Sequence, residues 1–302
     1  MKTLETSFAS RVRLYRGALI AMLLAGFVVQ SEATLYTISG VPQNGTSYGA
    51  TYDTSQDGFT SWSANGQNQL ALQTLYYSIN GGSVMQLTSP TSVTTSYTKV
   101  PPIPTGSIVS GSIVVNYLIA GYGTVVDTWK LSGSPLLQTI TFNNTSGSEI
   151  DDVSIFQYSD FVLGGSAYAG NQTVNMLTED VGTGQHATAN QSGGGITLGW
   201  QGFATADNNS GTTLVQANSG GATFGAFIGA NPDPYSLDNT TLTANNNAVF
   251  GFQFSGDVLN GDSLSISETS AFPVPEPTSM ALISSGMVAV ALMFRQRRNK
   301  KA

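Results

Sequence analysis

The chain holds 302 residues, of which 10 % are charged and 40 % hydrophobic, with 34 glycines, one histidine and no cysteine. This composition excludes a disulfide scaffold, a thiolate metal site, a thiol nucleophile and a multi-histidine metal cage, while leaving enough apolar residues to build a core. Charge is unevenly spread: residues 34–273 keep only Lys99 and Lys130 against fifteen acidic residues, a net charge of −13. Such a body repels a phosphate backbone, so nucleic-acid binding is excluded.

In chain order, the first element is a secretory signal over residues 1–33. Lys2, Arg11, Arg13 and Arg16 form a basic lead, followed by an apolar run over 17–29. That run is too short to span about 30 Å of hydrocarbon but suits the core of a signal helix. Ser31-Glu32-Ala33 places small residues where signal peptidase requires them, so cleavage is expected between Ala33 and Thr34 after passage through the Sec translocon.

Residues 34–273 are rich in Gly, Ser, Thr and Asn, with short apolar stretches at regular intervals. Alternation of period two over 139–142, 250–254 and 263–267 predicts strands, the second with Phe250, Phe252 and Phe254 on one face. Runs 113–119 and 152–158 are rich in β-branched and aromatic residues and read as strands too. Residues 69–77 fit either a helical turn or a strand. Turn signals stand at Asn80-Gly81-Gly82, Asp207-Asn208-Asn209, Ser219-Gly220-Gly221 and Asn260-Gly261-Asp262. Asn260-Gly261, between two alternating runs, predicts a hairpin. No amphipathic helix is evident, and the pattern predicts an all-β fold, an antiparallel β-sandwich of jelly-roll-like or Ig-like form. The only internal proline cluster, 100–104, fits either a boundary between two units or a loop crossing between sheets, and 34–273 is taken as one domain.

The last segment reverses the theme of the first. Val274, Pro275, Glu276 and Pro277 cannot continue a strand or helix, because two prolines lack N–H donors and restrict their predecessors. Residues 278–294 are uncharged and largely apolar, at the lower limit of a transmembrane helix. Arg295, Arg297, Arg298, Lys300 and Lys301 follow, and the positive-inside rule keeps them cytoplasmic with the body outside. The three-part tail over 274–302 resembles the PEP-CTERM sorting domain, also catalogued as an ice-binding-protein C-terminal domain. The resemblance implies that exosortase, a membrane protease, recognises Pro275, Glu276 and Pro277 and cleaves near them. It also implies a bacterium that makes exopolysaccharide, transient membrane anchoring, and a destination at the cell surface or outside the cell. Residues 61–70 and 156–161 carry a weaker resemblance to the bodies of other PEP-CTERM proteins, which implies no activity.

Candidate chemical sites were weighed against structural roles. Gly45-Thr46-Ser47-Tyr48-Gly49 matches a nucleophile elbow in spelling, but lacks the strand-to-helix context, and a surface loop is expected there. His186, the only candidate base, sits in a loop-like context. Asp53 with Asp57, Asp151-Asp152, Glu179-Asp180 and Asp257 with Asp262 present carboxylate pairs, which glycosidases and calcium loops use and which turns use more often. Trp62, Trp129 and Trp200 are either sugar-stacking platforms or core, and core is the commoner fate. Asn-x-Ser/Thr sequons at Asn44, Asn143, Asn144, Asn171, Asn190, Asn208 and Asn239 are frequent enough to arise by chance.

The expected function is therefore a non-enzymatic surface or matrix protein of a biofilm, sorted by exosortase and associated with exopolysaccharide, with no cofactor and no metal site. A carbohydrate-binding module is the alternative, with a secreted hydrolase more remote. The tail's three-part order predicts a mass: the surface-released form ends near Pro277, and Glu276→Ala leaves a full-length species in the inner membrane. Intact-mass measurement of a released species still ending at Ala302 would refute the processing.

Overall fold

The computed structural model describes residues 33–43, 46–64, 67–98, 110–131, 135–164, 172–180, 185–193, 196–206, 212–219, 223–225, 236–239 and 243–271. The signal segment before Ala33, the proline cluster 100–104, the turn signal at 207–209 and the whole tail from Val274 lie outside them. Ala33 and Thr34, on either side of the expected signal-cleavage bond, are exposed and lead directly into the first strand.

The described residues form two nine-stranded antiparallel sheets. The first runs β1 (Leu35–Gln43), β2 (Thr46–Asp53), β3 (Gly58–Ala64), β5 (Leu70–Ile79), β11 (Ile150–Phe161), β17 (Val249–Val258), β15 (Thr212–Asn218). Two-residue strands β4 (Gln67–Asn68) and β6 (Met85–Gln86) flank it. The second runs β16 (Thr243–Asn245), β12 (Thr173–Asp180), β13 (Gln185–Gly193), β14 (Ile196–Ala206), β18 (Ser263–Ala271), β10 (Leu136–Asn144), β9 (Gly123–Leu131), β8 (Ser110–Ile119), β7 (Ser92–Thr98). This is the expected all-β sandwich, with more strands than the roughly seven to nine of an immunoglobulin-like domain. Residues 69–77 resolve as strand: Leu75 and Gln73 pair with Gln157 and Ser159 of β11.

Period-two burial explains why these segments are strands. In β8, β9 and β10 every second residue is buried, which puts Ile113, Val115, Trp129, Ile140 and Phe142 on the inner face. Phe250, Phe252 and Phe254 do the same for β17, as their spacing predicts. Aromatic contacts then tie sheet to sheet. Phe59 stacks on Trp129 with ring centroids 3.3 Å apart and an interplanar angle of 8°. Trp200 meets Trp62 edge-on at 6.0 Å and Phe161 at 5.6 Å.

Strand β11 is buried on both faces from Val153 to Ser159. Its inner residues join the main core, while Phe156 and Tyr158 turn outward and pack with Phe224, Leu237 and Val249. Phe224 stacks on Tyr76 at 3.8 Å. Gln253 Oε1 accepts from the Leu237 N–H at 2.8 Å, and Gln216 Oε1 from the Asp238 N–H at 3.1 Å. Long amides on the sheet thus satisfy the backbone of the segment that covers it, as buried N–H groups require.

The hairpin expected at Asn260-Gly261 is corrected by the structure. The turn is present, with Gly261 at φ +86°, a left-handed conformation suited to glycine. However, β17 pairs with β11 and β15 in the first sheet, while β18 pairs with β10 and β14 in the second. The turn is a corner between sheets. Two alternating runs satisfy a sandwich equally well when each lines one wall, so alternation does not imply pairing.

Asn144, almost fully buried, holds that corner. Its Nδ2 donates to the carbonyls of Ser148 and Val258 at 2.8 Å and of Leu259 at 3.2 Å. Its Oδ1 accepts from the N–H and hydroxyl of Ser146, and its backbone bonds Asp262 and Gly261. Asn144→Ala leaves buried carbonyls unsatisfied and costs about 2–3 kcal/mol. For a chain of this size that lowers Tm by roughly 5–10 °C. Asn260→Ala, which removes one exposed bond to the Gly147 N–H, leaves Tm nearly unchanged in the same thermal scan.

Candidate functional site

The inner walls are not wholly apolar. Gln138 of β10 lies opposite Trp129 on one side and Glu268 on the other, and Asp127 stands two residues before Trp129. Gln138 Nε2 donates to Asp127 Oδ1 at 3.0 Å, and its Oε1 accepts from Gln73 Nε2 of the opposite sheet at 3.2 Å. Trp200 Nε1 donates to Glu268 Oε2 at 2.8 Å. A Cβ at Gly202, beside Glu268 on β14, would stand 3.0 Å from Phe254 Cζ and 3.1 Å from Glu268 Cγ. Glycine there lets the far wall reach the carboxyl.

Both acids are almost fully buried. Burial pushes Asp127 up to about 7, the hydrogen bond from Gln138 offsetting part of the rise. Burial also holds Glu268 well above the usual carboxylate range, with the Trp200 bond opposing and Asp127 adding to the shift. Nearby, the hydroxyls of Tyr52 and Tyr117 bond each other across the sheets at 2.9 Å. The gap lined by Tyr52, Gln73, Tyr117, Asp127 and Gln138 has no room for a water-sized sphere. It cannot admit a substrate, and these groups connect the two walls. No motif marked this seam: Asp127 and Glu268 stand in alternating strands where an inward position is normally apolar.

The sequence-derived candidates fall to structural positions. Thr46, Ser47, Tyr48 and Gly49 lie inside β2, paired with β1, which corrects the expected surface loop. Here the hydroxyl-bearing residues alternate with Tyr48, Ala50 and Tyr52, so an apolar wall organises them into a strand. His186 is likewise in a strand, β13, in the other sheet, so its loop-like context is corrected too. Its pairing with Glu179 and Phe203 supplies the backbone bonds that a loop would lack. Asp53 Oδ1 caps Ser55, at 2.8 Å to the N–H, and Asp57 Oδ1 accepts from the Ser89 N–H at 2.9 Å. Trp62, Trp129 and Trp200 are buried to 2 % exposure or less, where no sugar ring can stack on them. Among the described residues, no group of three His, Asp or Glu could hold a metal ion, and no helix is long and apolar enough to cross a membrane.

The body is thus a two-sheet antiparallel sandwich sealed by aromatics. Residues 273–298, which follow β18, match the PEP-CTERM protein-sorting motif. The motif implies exosortase processing and export to the surface or beyond. No curated protein matches the chain in sequence. Among solved structures it is similar to a bacterial glucoamylase complexed with acarbose, at 8 % identity and TM-score 0.46, over 80 % of this chain and 32 % of that one. A β-arabinopyranosidase gives 8 % identity and TM-score 0.46 over 78 % and 40 %. A putative aldose 1-epimerase from Escherichia coli K12 gives 7 % and 0.37 over 80 % and 99 %. The chain spans about a third of the length of the glucoamylase it resembles.

A pH dependence follows from the seam. A carboxyl whose folded pKa is raised binds more protons folded than unfolded, so stability falls as pH rises. For Asp127 the loss begins above the unfolded value of about 3.9 and is complete above about 7, at no more than about 1.4 kcal/mol per pH unit. Tm therefore falls between pH 4 and 8, and Asp127→Asn, which keeps the Oδ1 acceptor for Gln138, flattens the fall and raises Tm at pH 8. Thermal scans across pH check both.

Proposed function

We propose that the protein is a non-enzymatic surface or matrix component that exosortase delivers and that associates with the producing cell's exopolysaccharide. The observation that carries this reading is the sorting motif at 273–298, joined without a linker to a sandwich that ends at Ala271. The turn bonds of Asp53 and Asp57 and the burial of the three tryptophans support it, since these candidate residues serve turns or packing. Sugar stacking on the tryptophans is not part of the proposal, because all three are core.

The test follows the chain through the cell. Wild-type protein should appear in the matrix fraction and co-purify with polysaccharide, and enzymatic digestion of that polysaccharide should release it. Glu276→Ala should keep the body in the membrane fraction and deplete it from the matrix. Recovery of the processed body free of polysaccharide would sink the matrix reading while leaving export intact.

A further inference from the structure

Seven neighbouring strands, β7, β8, β9, β10, β18, β14 and β13, make up most of the second sheet. They contain two acidic residues, Asp127 and Glu268, and both are turned into the core. The outward wall of these strands therefore carries no carboxylate, although residues 34–273 have a net charge of −13. What it presents instead is mainly hydroxyl and amide, with the ammonium of Lys130 among them. Thr128, Thr139 and Ser267 lie side by side across three strands, and Lys130, Thr269 and Gln201 stand in the next row. Leu118 at 61 % exposure and Leu137 at 38 % break the polar field with isolated apolar side chains. With strands about 4.8 Å apart and nine residues long, the wall measures on the order of 900 Å². That matches about 800 Å² for one side of a standard interface.

We infer that this outward face of the second sheet is a binding surface for neutral polysaccharide, an inference that rests on the matrix reading above. Three physical arguments converge on that occupant. Serine and threonine hydroxyls both donate and accept, so they pair with sugar hydroxyls in either sense. Uncharged groups lose less on desolvation than carboxylates, which makes this the part of an anionic body that is easiest to cover. A second copy of the chain would bring another −13 body against the first, whereas a neutral polymer brings no charge. The isolated leucines offer contact to the C–H faces of sugar rings.

The test uses the full chain with cellulose and cross-linked dextran as neutral polymers and alginate as an anionic one. Wild type should bind the neutral polymers. T139E/T269E, which places two carboxylates at exposed positions of β10 and β18, should bind them about tenfold more weakly or worse. Thr212→Glu, exposed on β15 of the other sheet, should stay within about twofold of wild type. T139A/T269A, which adds no charge, should show an intermediate loss. Equal binding by T139E/T269E and wild type overturns this face while leaving the matrix reading in place. Binding to alginate alone overturns the neutral class, and self-association that T139E/T269E abolishes assigns the face to a second copy instead. A wild type that binds none of the three polymers overturns the inference, and overturns the matrix reading as well only when co-purification with the cell's own polysaccharide also fails.

Discussion

The contact on which the rest of the structure depends is the meeting of aromatic rings between the sheets, Phe59 flat on Trp129 and Trp200 against Trp62 and Phe161. Each sheet alone exposes an apolar wall and is unstable in water; facing each other, the walls are buried together. That single demand sets the period-two pattern in β8, β9, β10 and β17, and it consumes all three tryptophans. It also closes the gap lined by Tyr52, Gln73, Tyr117, Asp127 and Gln138, which has no room for a water-sized sphere.

Within that wall the polar seam is the exception, and it is only partly bonded, with Gln73 Oε1 and Glu268 Oε1 lacking a hydrogen-bond partner. A buried carboxyl or amide is costly unless bonded, and a half-satisfied network costs more than an apolar one. Gln138 answers by bonding Asp127 on its own sheet and Gln73 on the other, so that a polar contact crosses among the apolar ones, as the Tyr52–Tyr117 bond does nearby. The pairing is directional, unlike hydrophobic contact, and ties β10 to β5 in one register. Its acids remain easier to hold protonated than charged.

Those two inward acids also sort the molecule's charge. With Asp127 and Glu268 inside, thirteen of the fifteen acids of 34–273 lie outside the seven strands that form the neutral face. The carboxylates that are described at turns, such as Asp53 and Asp57, hold backbone N–H groups.

Delivery was legible in the sequence because it depends on local, contiguous properties. An apolar run, two prolines around Glu276 and a terminal basic cluster are recognised as linear text, and the family match over 273–298 agrees with that reading of the tail. The strands and the sandwich class were legible too, since alternation is a local record of one buried face. What alternation cannot carry is the partner. The runs on either side of Asn260-Gly261 read as a hairpin, and only the packed structure assigns one to each sheet, with Asn144 binding the corner from far away in the chain. Residues 46–49 and His186 read as loops because their polar composition hides the wall beside them. The seam was illegible for the same reason: whether an Asp in an alternating strand faces water or core is decided by which side of the sheet meets a second sheet. That choice is made by long-range burial, after every local preference has already been satisfied.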